Sequence, residues 1–260
     1  MQPSLRIRTP AVDFHARVQG TAPRAVFVHG LGGDLSTWDS VWDALGHDCP
    51  ALRYDLRGCG NTVCRVPGPY THAKDLLSIL DAIKIADCDL IGVSMGGGIA
   101  LNFALDHPER VGNLVLISPQ IVAWEFSAAW QAQWQPILDA ARGGDLARAK
   151  QLFWEHPLFE TTRSSPAAEQ LRASIMQFSG EHWLGDEHEL MYPDVERLHQ
   201  LMTRTLLLTG GRDLDDLRVM ADLIAGTAPN VQRIDAPELG HLLHLEDPRR
   251  SAQWIREFLR

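Results

Sequence analysis

The chain has 260 residues, 45% of them hydrophobic and 22% charged, and carries a formal net charge of −9 at neutral pH. That length and apolar content supply a core large enough for one domain with an insertion, while the acidic balance argues against nucleic acid or an anionic membrane as a partner. No apolar run approaches the roughly 20 residues of a membrane span, and Met1 to Ala11 lacks a signal-peptide core, so a soluble, cytoplasmic protein is expected.

Leu5–Arg8 and Val12–Val18 alternate as an antiparallel pair of strands does. The runs Ala25–Val28, Ala51–Tyr54, Asp89–Gly92 and Val111–Ile117 then read as short buried strands separated by helical stretches, which is the order of an α/β protein with a parallel sheet. After Ser118-Pro119 the pattern changes. From Gln120 to Asp194 no strand is predicted, amphipathic helical stretches cover Ser127–Arg142 and Asp145–Phe153, and Trp124, Trp130, Trp134, Trp154 and Trp183 accumulate. Strand-like runs resume with Thr205–Leu208 and Val231–Ile234. The expected organisation is a core over residues 1–119, a helical cap over 120–194, and the rest of the core over 195–260.

Gly92-Val93-Ser94-Met95-Gly96 sits between an apolar run and a helical stretch, so Ser94 reads as a nucleophile lifted on a sharp strand-to-helix turn. Such a turn needs small residues where backbone and helix crowd together. The plain alternative is a glycine-rich connection that carries a serine incidentally. Two downstream residues favour the chemical reading. A serine hydroxyl is a poor nucleophile unless a histidine takes its proton and a carboxylate holds that imidazole. Asp213 follows the run ending in Thr209-Gly210-Gly211-Arg212, and His241 follows the strand Val231–Ile234 through Glu238-Leu239-Gly240. Side chains placed just after different parallel strands converge on one sheet edge.

These residues bring out a resemblance that covers nearly the whole chain. His29-Gly30-Leu31-Gly32-Gly33, Trp38, Asp55-Leu56-Arg57-Gly58-Cys59-Gly60, the serine turn, Asp106-His107-Pro108-Glu109-Arg110-Val111, Gly211-Arg212-Asp213, and Gly240-His241 with Leu245-Glu246-Asp247-Pro248 resemble the α/β-hydrolase family, in its esterase, enol-lactonase and cofactor-free perhydrolase branch. The resemblance implies a mostly parallel sheet with helices on both faces and a helical cap. It also implies Ser94, Asp213 and His241 as catalytic residues, with an oxyanion hole from the backbone N–H groups of Leu31 and Met95.

The chain departs from the family pattern in two places. No proline follows Asp213-Leu214-Asp215-Asp216, which leaves three neighbouring carboxylates, of which Asp213 is preferred; and Asn61-Thr62 stands where a serine often closes the loop. Asp55 and Arg57 are read as structural, an ion pair or turn-fixing set, and His29 as a hydrogen-bonded structural histidine.

The serine sets aside haloalkane dehalogenases and epoxide hydrolases, whose nucleophile is a carboxylate. An epoxide hydrolase would also be expected to supply two cap tyrosines, where this cap has Tyr192. Ring-cleavage carbon–carbon bond hydrolases usually carry a tryptophan after the histidine and an asparagine in the oxyanion loop, where Leu242 and Trp38 stand here. What the resemblance leaves is hydrolysis of a small carboxylic ester or lactone through an acyl-enzyme on Ser94, 3-oxoadipate enol-lactonase-like activity being one specific version. It implies no metal or organic cofactor, and leaves self-association open. A ligand-sensing receptor is the alternative from another class, because receptors with this fold keep the same three residues.

The tryptophans are expected to form an apolar pocket of modest size or to pack the cap helices together, with Arg163 and Arg172 as candidates to meet an acidic substrate. Cys49, Cys59, Cys64 and Cys88 have no metal spacing and are expected to stay reduced. His182 and His188, among Glu181, Glu187 and Glu189, fit no familiar ligand set and read as a solvated polar loop.

Overall fold

The computed structural model describes residues 4–46, 49–185 and 191–260. Among them, nine strands form one sheet: β1 (Ser4–Arg8), β2 (Val12–Gln19), β3 (Ala25–Val28), β4 (Ala51–Tyr54), β5 (Val63–Cys64), β6 (Cys88–Val93), β7 (Val111–Ile117), β8 (Arg204–Gly210) and β9 (Val231–Ala236). Their order is β1-β2-β4-β3-β6-β7-β8-β9, with β5 paired to β2. β2 runs antiparallel to β1, β4 and β5, and from β4 to β9 every neighbouring pair is parallel. Val26, Phe27, Leu90, Ile91, Val115 and Leu207 are all fully buried, as continuous apolar strands between two helical layers must be. On β1, at the sheet edge, Ile7 alone is buried and the other four residues are exposed.

The helices are α1 (Asp39–Leu45), α2 (His72–Ala82), α3 (Met95–Asp106), α4 (Ala128–Arg142), α5 (Leu146–Glu155), α6 (Glu160–Arg163), α7 (Ala168–Gln177), α8 (Glu181–Leu184), α9 (Asp215–Thr227), α10 (Leu243–Glu246) and α11 (Pro248–Phe258). They cover both sides of the sheet, with α1 packed on α11 and α2 on α3. α4 to α8 all fall between β7 and β8, in the stretch where the sequence loses its strand pattern. Ser127 and Asp145 stand one residue outside their helices, as caps: Ser127 Oγ accepts from the Trp130 N–H at 3.2 Å and Asp145 Oδ1 from the Arg148 N–H at 2.9 Å. Among the described residues, no helix is long and apolar enough to cross a membrane.

Asp55, just past β4, is the polar hub beneath the sheet edge. It is 1% exposed, and its carboxylate accepts from the Leu35 N–H at 2.8 Å, the Asn61 N–H at 2.7 Å and His15 Nδ1 at 2.7 Å. A buried carboxylate is tolerable only when so supplied with donors. The Thr62 hydroxyl completes the turn, donating to the Asp55 carbonyl at 2.7 Å and accepting from the His15 N–H at 3.0 Å. Arg57 does not pair with Asp55. Its guanidinium forks onto Asp75 of α2 at 2.9 and 2.6 Å, and lies 4.3 Å from the Tyr70 ring centre.

Asp55→Ala orphans three donors from three segments at once. It is expected to lower the unfolding free energy by about 3 kcal/mol or more, read from urea denaturation midpoints.

Candidate active site

Ser94 lies between β6 and α3 with φ 55° and ψ −120°, a backbone region that non-glycine residues rarely occupy. The surroundings hold it there. A Cβ built on Gly92 would overlap the Gly96 carbonyl, and one on Gly96 would overlap the carbonyls of Val28 and His29. Glycine at both positions lets α3 start in contact with the ends of β3 and β6. The Ser94 N–H donates to the Ile117 carbonyl at 2.9 Å, and its own carbonyl accepts from Gly98 at 3.0 Å and Gln120 at 3.1 Å.

The hydroxyl meets a histidine. Ser94 Oγ is 2.8 Å from His241 Nε2, and His241 Nδ1 is 2.9 Å from Asp213 Oδ2. The other Asp213 oxygen accepts from the Leu214 N–H at 2.8 Å, which fixes the carboxylate. All three residues are buried. Of the three neighbouring carboxylates, Asp213 is the one placed against His241. Asp215 is exposed, and Asp216 turns away to accept from the Ser127 N–H at 2.9 Å and the Ser127 hydroxyl at 2.6 Å.

The His29–Gly33 loop passes beside the serine, with a Cβ on Gly30 placed 3.3 Å from that of Ser94. His29 is structural: Nδ1 donates to the Gly30 carbonyl at 2.8 Å while Nε2 accepts from the Leu56 N–H at 3.0 Å, and burial holds the ring below its ordinary pKa. Among the described residues, neither the Leu31 nor the Met95 amide donates to a protein acceptor. Met95 opens α3, where the first turn has no intrahelical acceptors.

A model of the alpha/beta hydrolase fold matches residues 23–248. The chain belongs to the α/β-hydrolase family. It is 27% identical over 252 residues, 95% of this chain and 97% of the other, to a putative carbamate hydrolase RutD of Pseudomonas savastanoi pv. phaseolicola. Among solved structures, a thermophilic esterase from Thermogutta terrifontis with malate bound superposes with TM-score 0.82 at 25% identity, over 99% of this chain and 98% of that one. The enol-lactonase from Burkholderia xenovorans LB400 superposes with TM-score 0.81 at 21% identity, over 99% of each chain, a likeness of fold.

The cavity next to the Gly30–Gly33 loop of this hydrolase is small. A cavity of about 20 Å³, lined by Leu31, Val93, Phe159, Leu171, Leu242 and Leu245 among others, has room for about one water molecule. None of the five tryptophans lines it. Trp183 is buried against Phe153 and Phe178, and Trp130 and Trp134 pack on each other and on His156. A wider cleft of about 540 Å³ lies between α4 and α9, with Trp124, Trp130, Leu214 and Asp216 in its walls. Trp38 is fully buried, 5.1 Å from Phe27 and 4.7 Å from His244 between ring centres. Tyr192 is exposed.

Two ties join the helical segment to the loops that carry His241 and Asp213. Glu246 accepts from the Thr161 and Thr162 hydroxyls at 2.7 Å each and from the Gly240 N–H at 2.7 Å. The Ser127–Asp216 pair does the same beside the acid loop. Arg163 is occupied by the carbonyls of Trp154 and His156, both at 2.8 Å, and Arg172 faces solvent. All four cysteines are free thiols; burial pushes Cys88 up to about 12 and raises Cys59 further, whereas Cys64 is exposed. His182 stacks on His72 at 5.6 Å, while Glu187, His188 and Glu189 lie outside the described residues.

His244 is fully buried, and burial, with a smaller contribution from His241, holds it down at about 3. The unfolded chain takes up this proton near pH 6.5 and the folded one does not, so stability is full above that pH and falls as pH drops toward 3. His244→Phe is expected to reduce the acid slope of the unfolding free energy by about one proton between pH 6 and 4, measured by urea melts across that range.

Proposed function

We propose that this hydrolase cleaves a small carboxylic ester or lactone through an acyl-enzyme on Ser94. The observation that carries the reading is the unbroken Ser94–His241–Asp213 chain of hydrogen bonds at 2.8 and 2.9 Å. Ser94 Oγ attacks the carbonyl carbon as its proton passes to His241 Nε2. Asp213 holds Nδ1–H and stabilises the imidazolium. The negative charge that develops on the former carbonyl oxygen is met by the Leu31 and Met95 amides, which need no reorganisation. Collapse breaks the bond to the alkoxy oxygen, which leaves with the proton from His241. A lactone opens in the same step. Water then attacks the acyl carbon, gives its proton to Nε2, and the acid is released as Ser94 recovers its hydrogen.

A lactone of the enol-lactonase kind and the carbamate named for the RutD relative both present the same carbonyl electrophile, so both belong in the assay beside simple esters.

Ser94→Ala is expected to lower the hydrolysis of p-nitrophenyl acetate and butyrate by at least about 10³-fold, and Asp213→Asn by about 10⁴-fold, in initial-rate assays. Equal rates for wild type and Ser94→Ala would remove the serine from the mechanism. A protein that turned over very slowly yet gained thermal stability with ligand would instead be a sensor.

A further inference from the structure

The helical segment holds two buried N–H donors without acceptors among the described residues, on rings whose centres are 5.1 Å apart. His156 follows α5 and is 3% exposed. Its Nδ1 accepts from the Leu158 N–H at 3.1 Å, so that nitrogen carries no hydrogen and the ring proton sits on Nε2. Nε2 is buried and has no acceptor among the described residues. Trp134 of α4 lies 5.1 Å away between ring centres, and its Nε1 is likewise buried without an acceptor. Native proteins seldom leave such groups unpaired, because each forfeits its hydrogen bonds to water.

Their position gives these donors a use. Phe153, one turn before His156, stands over the oxyanion loop, its ring 2.5 Å from where a Cβ on Gly32 would lie. Phe159, three residues beyond, lines the cavity beside Ser94, and Thr161 packs on Gly240 next to His241. The neighbours on either side of His156 therefore touch the active-site loops. Burial, with smaller contributions from His241 and Arg163, holds His156 down at about 4. It is a neutral donor at working pH. Arg163, bound to the His156 carbonyl and with no carboxylate partner among the described residues, adds positive potential beside it.

We propose that His156 Nε2–H and Trp134 Nε1–H form a substrate-specificity site that binds an oxygen acceptor, a carbonyl or a carboxylate, carried by the substrate apart from the bond that is cleaved. The inference rests on Ser94 being the reacting centre. It adds that the natural substrate is bifunctional, with a second oxygen group a few bonds from the ester or lactone carbonyl. A plain alkyl ester leaves both donors unpaired and is the poorer ligand.

Three methyl esters of one skeleton separate the alternatives: 4-methylpentanoate has no acceptor, 4-oxopentanoate a neutral one, and hydrogen succinate a carboxylate. Binding is measured by ligand-observed NMR titration to the Ser94→Ala protein, so no turnover is needed. At least one acceptor-bearing ester is expected to bind about 3- to 10-fold more tightly than 4-methylpentanoate, the range of one hydrogen bond. The preference is expected to vanish with His156→Asn and to weaken with Trp134→Phe. Asparagine keeps an oxygen for the Leu158 N–H but is too short to replace Nε2–H. If His156→Asn loses its cooperative thermal transition, Trp134→Phe decides. Equal affinity for all three esters, or a preference unchanged in the folded variants, overturns the proposal. A retained preference in a protein whose Ser94→Ala change leaves ester hydrolysis intact would instead overturn the acyl-enzyme reading.

Discussion

Everything at this sheet edge depends on how closely α3 approaches the strands behind it. With no side chain at Gly92 or Gly96, the first turn of the helix rests on the carbonyls of Val28 and His29, and Ser94 has to take a left-handed backbone to join strand to helix. The cost of that conformation, of order 1–3 kcal/mol, is offset by the packing on either side. The same contact puts the hydroxyl within reach of His241, leaves the Met95 amide unpaired at the helix start, and sets the Gly30 loop beside the serine. One steric condition thus positions three separate chemical components.

The polar framework behind this edge is built differently from the edge itself. Asp55, His29 and Arg57 are each held by fixed partners, the Leu35 N–H, the Leu56 N–H and the Asp75 carboxylate among them, and none of the three lines the small cavity next to Val93. Buried networks of this sort rigidify loops because each missing partner leaves an uncompensated group. They hold the loops at Leu35, Leu56 and Asn61 through hydrogen bonds to buried side chains.

Much of the architecture could be read from the chain because the signals were local. Continuous apolar runs such as Ala25–Val28 and Leu206–Leu208 give way within two residues to glycine, at Gly30 and Gly210, so both the strands and the loop positions of Asp213 and His241 follow from short stretches. β5 escaped because its two residues are exposed and owe their strand geometry to pairing with Val12 and Asp13. The partner of Arg57 escaped for a similar reason, since Asp75 lies 18 residues away on another element. His156 gave no local sign at all. A histidine without an acceptor is a property of the folded environment, and the pairing of Glu246 with Thr161 and Thr162 spans 85 and 84 residues. Size of the cavity was equally hidden, because it depends on how Phe159 and Leu171 fall against Leu31 and Leu242.

The two ties described above lead to a mechanical conclusion. Glu246 fastens α6 to the backbone that carries His241, and Asp216 fastens the start of α4 to the backbone that carries Asp213. A displacement of either helix therefore pulls directly on the backbone beside His241 or Asp213, so the cap and the two loops behave as one hydrogen-bonded frame.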